Sequence, residues 1–460
     1  MSPRVVIVGA GITGLAAAHR IITDHPKTKL VVLEAASKAG GRLVTTPLLD
    51  LPIDEGADAF LIRVPWALEL FREIGVEEEL VSPKARNASI WLDNSLKPLP
   101  VPNFLGIPLN PEEITSDLLT QSELKKLTAN SSVTNKLPKN LSIDDDLSVG
   151  QVVRSCIGDG VLERLVDPLL GGINAGQADN LSCAVMAPQL LYAARHPDGL
   201  LPVLQKIHQE TVPTDPIFNA HPRGMSYLID QLVKNLDSSL RLDWPVQSLT
   251  AKNQRWELHS ENGTELADVV ILTTPAAVTA KLLSEISPSV ASTLAAISHA
   301  SVSIATFVYK QSDTPLPKDQ SGFLIPRNSG MMMTACSYSS NKWDHLNNGD
   351  YSVLRVSTGR IDDNRQAELD DSSLMSALQN DLATTTGIRT QPSATRLTRW
   401  PKALPQFLPG HQTQMTEISR QLKEEAAGIT LAGNHRNGVG IPACIKSSNE
   451  AISTIVDRLD

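Results

Sequence analysis

The sequence predicts an α/β fold built on a parallel sheet, and three observations carry that prediction. A short β-branched run, Val5–Val8, leads into glycines at positions 9, 11 and 14. A second run, in "KLVVLEAASKAGGR", ends in an acidic residue, Glu34. Two further runs, 269–272 and 429–432, read as buried strands far down the chain.

Val5–Val8 has the composition of a strand buried on both faces. Gly9, Gly11 and Gly14 follow with G-x-G-x-x-G spacing. The first permits a tight turn, the second lets a pyrophosphate approach the backbone, and the third lets a helix starting near Ile12 pack closely on the strand. That helix turns its unpaired N–H groups and positive dipole end toward the phosphates. Glu34 stands twenty residues after Gly14, where a carboxylate accepts from both ribose hydroxyls and disfavours a 2′-phosphate, leaving NAD or FAD. Gly40-Gly41-Arg42 decides for FAD: two glycines bring backbone close to the ligand, and Arg42 adds a fixed cation for a pyrophosphate or flavin edge.

Between the ends, residues 115–146 are polar and without helical periodicity, and read as a loop. Helical spacing returns with Val149, Val152, Val153, Ile157, Val161, Leu162, Leu165 and Val166. Residues 239–275 alternate like strands, with a hairpin turn at Asn262-Gly263. Near the C-terminus, Gly433 and Asn434 read as a turn, and a helix with Pro442 in its first turn runs from Ile441. Its N-terminus points inward, where it stabilises negative charge at the N1/C2 side of a reduced isoalloxazine.

A net charge of −9 without a basic stripe excludes a nucleic-acid partner. Cys156, Cys183, Cys336 and Cys444 form no CxxC pair, and the histidines are scattered, which points to a reduced cytoplasmic chain without a metal site. No uncharged apolar run of about eighteen residues is present, and no basic amphipathic helix marks an anchor, so peripheral contact with a membrane is the most that is expected.

The stretches "VGAGITGLAAA", "LEAASKAGGR", "DEGADAFLIRVPWALELFREIGVEEELV", "PLLGGINAGQADNLS", "RGMSYLIDQL", "LTRWPKALPQFLPGH" and "LAGNHRNGVGIPACI" resemble, nearly end to end, the FAD-dependent protoporphyrinogen and coproporphyrinogen oxidases of the amine-oxidase-like flavoproteins, and most of all the Gram-positive coproporphyrinogen III oxidases. The resemblance implies a discontinuous Rossmann-like FAD-binding domain (1–85, 205–275 and 422–460), a mixed-sheet substrate domain (86–110, 190–204 and 276–421) and a helical lobe (111–189). It implies noncovalent FAD lined by Gly9, Gly11, Ile12, Thr13, Gly14, Glu34, Ala35, Gly41, Arg42, Gly56, Ala57, Asp58, Val246, Thr274, Gly433, Asn434, Val439, Gly440 and Ile441, with Val246 meeting the adenine through its backbone. Cys444 lacks the setting of the covalent flavin linkage of monoamine oxidases and reads as a small core thiol.

The implied reaction is six-electron oxidation of a porphyrinogen in heme synthesis, with oxygen as acceptor and hydrogen peroxide as by-product. No catalytic side chain is expected, because the electron-rich macrocycle gives up hydride without strong acid–base help. A transient contact with another heme-pathway enzyme is also compatible. Gly172 and Ile173 match positions that line the macrocycle, and Arg63, Arg195, Lys342, Arg399, Lys402 and Arg436 are candidates for its propionates. Eukaryotic members carry an arginine where this chain has Ala88, which favours the four-propionate coproporphyrinogen over protoporphyrinogen. An amine oxidase or carotenoid desaturase shares the dinucleotide elements, but an amine oxidase needs an aromatic cage and only 4% of this chain is aromatic. In a prenyl-escort protein of similar fold, Glu34 and Arg42 would be idle.

Overall fold

The computed structural model describes residues 2–114, 117–130, 137, 145–211 and 216–459. Its first sheet has five parallel strands in the order Leu240–Arg241, Lys29–Leu33, Arg4–Val8, Val269–Leu272 and Ile429–Leu431. Val5, Val6 and Ile7 and the run Val269–Leu272 are all fully buried, which explains their unbroken apolar character. Helices Ile12–Asp24 and Ile441–Ser453 pack against each other on one side of this sheet.

The second sheet has seven strands: Ala394–Pro405, His299–Lys310, Tyr351–Thr358, Met333–Tyr338, Gln320–Leu324, Asn87–Leu92 and Ser95–Pro98. It is mixed, because Gln320–Leu324 runs parallel to Asn87–Leu92 while the other pairs are antiparallel. One face is sealed by helix Asp371–Thr386, whose Leu374, Leu378 and Leu382 meet Ala305, Phe307, Tyr309, Phe323, Tyr338, Leu354 and Val356.

A third core is helical, formed by Val149–Cys156, Asp167–Asn174, Pro188–Arg195 and Leu200–Thr211. Leu200–Thr211 crosses the expected boundary at residue 205 and buries Leu200, Leu201, Val203 and Leu204 in this helical core.

Two local expectations are corrected. Residues 121–130, expected as loop, form a helix, Gln121–Asn130. Thr120 and Glu123 cap it reciprocally: the Thr120 amide donates to Glu123 Oε2 (2.7 Å) and the Glu123 amide to Thr120 Oγ1 (3.3 Å). Leu127, fully buried, anchors it to the helical core. Residues 115, 116, 131–136 and 138–144 of the expected loop lie outside the described residues. The hairpin turn is Glu261-Asn262, one residue earlier than expected, because Ser260 pairs with Gly263 and the glycine opens the return strand.

Candidate functional site: a dinucleotide cleft beneath a hollow sheet face

Strands Arg4–Val8, Val269–Leu272 and Ile429–Leu431 are adjacent and parallel, so the segments that follow them open on one edge. Gly9, Gly11, Thr274, Gly433 and Asn434 therefore share that edge. Gly9 has φ +106°, which L side chains rarely adopt, and a Cβ on Gly14 would overlap the Gly9 carbonyl oxygen. The Thr273 hydroxyl closes the turn from below by donating to the carbonyls of Val8 (2.8 Å) and Gly9 (3.0 Å). Gly11, by contrast, has open space on its Cβ side, where a ligand can approach the backbone. Ile12 and Thr13 open the first helix; its first-turn amides have no intrahelical partner.

Glu34 follows the strand Lys29–Leu33 with its carboxylate fixed: Oε2 accepts from the Ala10 amide (2.7 Å) and Oε1 from the Ala36 amide (2.9 Å). Each oxygen keeps a lone pair for a hydroxyl. Ala35 is exposed beside it, and Val246 follows Trp244, whose amide bonds to the Glu34 carbonyl (2.7 Å). The Gly40 amide bonds to the Ala10 carbonyl (2.8 Å), which seats Gly41 against Gly11.

Arg42 follows, half-buried, and its guanidinium has no hydrogen-bond or carboxylate partner among the described residues. Burial lowers its pKa. A desolvated, unpaired arginine beside a glycine cradle is what a pyrophosphate site needs. Cys444 lies by Arg42 and Thr13, buried, with its thiol pKa pushed up by burial. From the C-terminal side come Asn434, in a single helical turn (Asn434–Asn437) rather than the expected bare turn, Val439, exposed Gly440 and buried Ile441 at the start of the last long helix. Thr274 Oγ1 is bonded to Thr279 Oγ1 (2.8 Å).

The loop Glu55–Asp58 joins this cleft to the seven-stranded sheet. Gly56 packs so tightly on the Arg42 carbonyl that a Cβ would overlap it. Asp58 pairs with Arg355 (3.1 Å) and Lys342 (3.3 Å) and accepts from Trp343 Nε1 (3.4 Å). Burial alone would raise its carboxyl, but Lys342 and Arg355 outweigh it and hold the pKa well below the usual range. Glu55 accepts from Thr398 Oγ1 (2.8 Å), Arg396 (3.4 Å) and Thr46. The amides of Gly56 and Ala57 donate to no acceptor among the described residues.

The face of the seven-stranded sheet opposite helix Asp371–Thr386 is not sealed. Ala88, Ile304, Leu324, Ala335, Ser337 and Ser357 lie on that face and keep accessible surface. Four of those six are Ala or Ser, and such small side chains leave space in front of that face. At its rim, Gly172 approaches Leu324 and Ile173 is 47% exposed, both in the last turn of helix Asp167–Asn174.

Of the six basic candidates, four are engaged inside the chain. Lys342 pairs with Asp58; Arg195 donates to the Asp145 carbonyl; Arg436 donates to Ser419 Oγ (3.0 Å). Arg399 holds Asp371 (2.8 Å) and the carbonyls of Gln366 and Leu369, on the face that carries helix Asp371–Thr386 and away from the hollow. Arg63 and Lys402 are exposed, and their side chains have no partner among the described residues. Trp400, Arg355, Glu55 and Thr273 belong to the site without having been anticipated. Trp400 stood inside a motif already singled out, but only strand pairing shows which way it faces. Among the described residues, no group of three or more His, Cys, Asp or Glu side chains is arranged to hold a metal.

A parallel sheet with a glycine turn, a carboxylate after its second strand and an unpaired arginine fits a dinucleotide-binding fold, and residues 12–453 match the flavin-containing amine oxidoreductase family, to which the chain belongs. It is a flavin-dependent oxidoreductase. Within that family it is similar over its full length to named porphyrinogen oxidases. It is 30% identical to the coproporphyrinogen III oxidase of Bacillus subtilis strain 168, over 99% of this chain and 98% of that one, and 26% identical to that of Staphylococcus aureus, over the whole of both. A crystal structure from Exiguobacterium sp. 255-15, provisionally assigned as a protoporphyrinogen oxidase, superposes with a TM-score of 0.89 at 29% identity, covering 100% of this chain and 99% of that one. Cyclohexylamine oxidase from Brevibacterium oxydans shares the fold, with a TM-score of 0.69 at 17% identity and full coverage of both chains. Among the described residues no helix is long and apolar enough to cross a membrane.

Proposed function

We propose that the chain is a coproporphyrinogen III oxidase: it binds FAD noncovalently and oxidises coproporphyrinogen III to coproporphyrin III in heme synthesis, passing electrons to oxygen with release of hydrogen peroxide. The observation that carries the reading is the accessible sheet face with its small side chains beside the flavin cleft, in a chain similar end to end to coproporphyrinogen III oxidases. Bound in the cleft, FAD supplies a two-electron acceptor that oxygen can regenerate. The residues bind and orient. Glu34 takes the ribose, the glycine turn and Arg42 take the pyrophosphate, and the small side chains of the sheet admit a flat macrocycle against Gly172 and Ile173.

Noncovalent attachment is supported by Cys444, whose buried thiol is held protonated. The preference for four propionates over two is supported by Ala88, which offers a methyl group to the hollow. Arg63 and Lys402 are the free cations of the candidate set. A cytoplasmic place, no nucleic-acid partner, at most peripheral membrane contact and transient contact with a heme-pathway enzyme belong to the same reading.

The test is to load the protein with FAD and supply coproporphyrinogen III and protoporphyrinogen IX separately, anaerobically and then in air, following porphyrin fluorescence and peroxide. Faster turnover of the copro substrate, with three peroxides per porphyrin, is expected. Equal or faster turnover of the proto substrate overturns the substrate assignment, and turnover without peroxide overturns the acceptor.

A further inference from the structure

We infer that Trp400 and Arg355, two residues of the seven-stranded sheet, are positioning residues that turn the Gly56 and Ala57 amides into the flavin cleft and so set the reduction potential of the cofactor bound there. The inference rests on the flavin reading above. Trp400 Nε1 donates to the Glu55 carbonyl at 2.7 Å, and Arg355 Nη2 donates to the next carbonyl, that of Gly56. Two consecutive carbonyls are therefore pulled toward the sheet. In a trans peptide the C=O and the following N–H point in opposite directions. The N–H groups of Gly56 and Ala57, which share those two peptide units, must then face away from the donors that hold the carbonyls.

Neither amide has an acceptor among the described residues. Gly56 sits directly on the Arg42 backbone, so these donors border the cleft that the glycine turn and Arg42 form. Gly56 is half-buried and Ala57 exposed, so both N–H groups are open to an acceptor on a ligand, in exchange for the water that otherwise meets them. The loop that carries them runs from the pyrophosphate cradle at Arg42 to the seven-stranded sheet, so the flavin reading puts the isoalloxazine edge, which lies between cradle and sheet, at these two fixed N–H groups; there they stabilise the electron-rich reduced ring more than the oxidised one, because they need no reorganisation when charge arrives. Arg355 is itself held in place by Asp58, which Lys342 also pairs. These contacts explain why a carboxylate in the cofactor loop is neutralised by two cations, Arg355 of the sheet and Lys342 at the end of the short helix Ser339–Lys342.

The experiment uses the FAD-loaded protein and Trp400→Phe, which keeps an aromatic ring and removes the indole donor. The two-electron potential is measured by equilibration against a reference dye, alongside the visible flavin spectrum and the FAD dissociation constant. The expected result is a shift to lower potential of about tenfold in the reduction equilibrium, about 30 mV for a two-electron couple, with FAD still bound. Trp256→Phe removes an indole donor to the Ala427 carbonyl, outside the cleft, and is expected to leave the potential unchanged.

Arg355→Lys keeps the charge facing Asp58 but is too short for both contacts, and it serves as the second variant if Trp400→Phe does not fold. A folded, FAD-loaded Trp400→Phe or Arg355→Lys with the native potential overturns the inference and leaves the flavin reading intact. A native chain that takes up no flavin overturns both. A shifted potential in a protein that does not oxidise porphyrinogens sustains this inference and removes only the substrate.

Discussion

The imidazole of His435 is completely buried, and neither ring nitrogen has a hydrogen-bond partner among the described residues. Burial, with Arg436, His299 and His411 nearby, pushes its pKa down to about 3. Between that value and the ordinary value near 6.5, the unfolded chain binds a proton that the folded chain refuses. Stability therefore falls as pH falls through this window, by about 1.4 kcal/mol per pH unit. His435→Phe removes both the titration and the unmet nitrogens. Its unfolding free energy is expected to drop less than the native chain's between pH 7 and pH 5, by about 2 kcal/mol, in denaturant titrations at the two pH values. The same pH dependence in both chains refutes the assignment.

Glu34 works differently, as an acceptor fixed by two amides. Glu34→Gln leaves one oxygen and turns an NH2 group toward an N–H donor. FAD is expected to bind about tenfold to a hundredfold more weakly, the loss of a charge-assisted hydrogen bond, and quenching of flavin fluorescence measures it. Unchanged affinity removes Glu34 from the ribose site.

At the scale of elements, the parallel strands were legible because burial on both faces forces continuous β-branched runs, as in Val5–Val8 and Val269–Leu272. The turn at Gly9 and Gly14 was legible because a positive φ at the first and a close approach at the second leave no choice of residue, whereas the chain itself leaves open space at Gly11. Helix Gln121–Asn130 was not. Leu124 and Leu127 are its only large apolar residues, so it carries no stripe, and its cap lies in a run of polar residues where Thr120 and Glu123 do not stand out. Its dependence on one buried side chain makes it testable. Leu127→Ala is expected to cost about 2–5 kcal/mol in denaturant unfolding while leaving FAD affinity unchanged, since Leu127 belongs to the helical core and not to the cleft. A cost below about 1 kcal/mol refutes the anchoring role. The contacts of Trp400 and Arg355 were illegible for another reason: their partners lie 345 and 299 residues away, and local pattern holds no information about such pairings.

At the scale of the molecule, charge and architecture pull against each other. The two sheets meet where Trp400, Arg396, Thr398, Arg355 and Lys342 grip the loop Glu55–Asp58, and this seam consumes cations that stand nearest the hollow. Arg195, Arg399 and Arg436 are tied elsewhere. Arg63 and Lys402 are what the candidate set leaves to meet the four propionates of the proposed substrate, on a chain of net charge −9. At about 0.01 M salt the Debye length is about 30 Å, so an approaching tetra-anion feels much of the protein's charge; at about 0.15 M it is about 8 Å, and local groups dominate. Two exposed cations do not offset the long-range repulsion at low salt, but they still act at contact when it is screened. The expected outcome is that kcat/KM for coproporphyrinogen III rises several-fold between these two salt concentrations, with kcat unchanged, in fluorescence assays at constant pH. If kcat/KM falls instead, a focused basic rim steers the substrate, and cations beyond Arg63 and Lys402 must line the mouth.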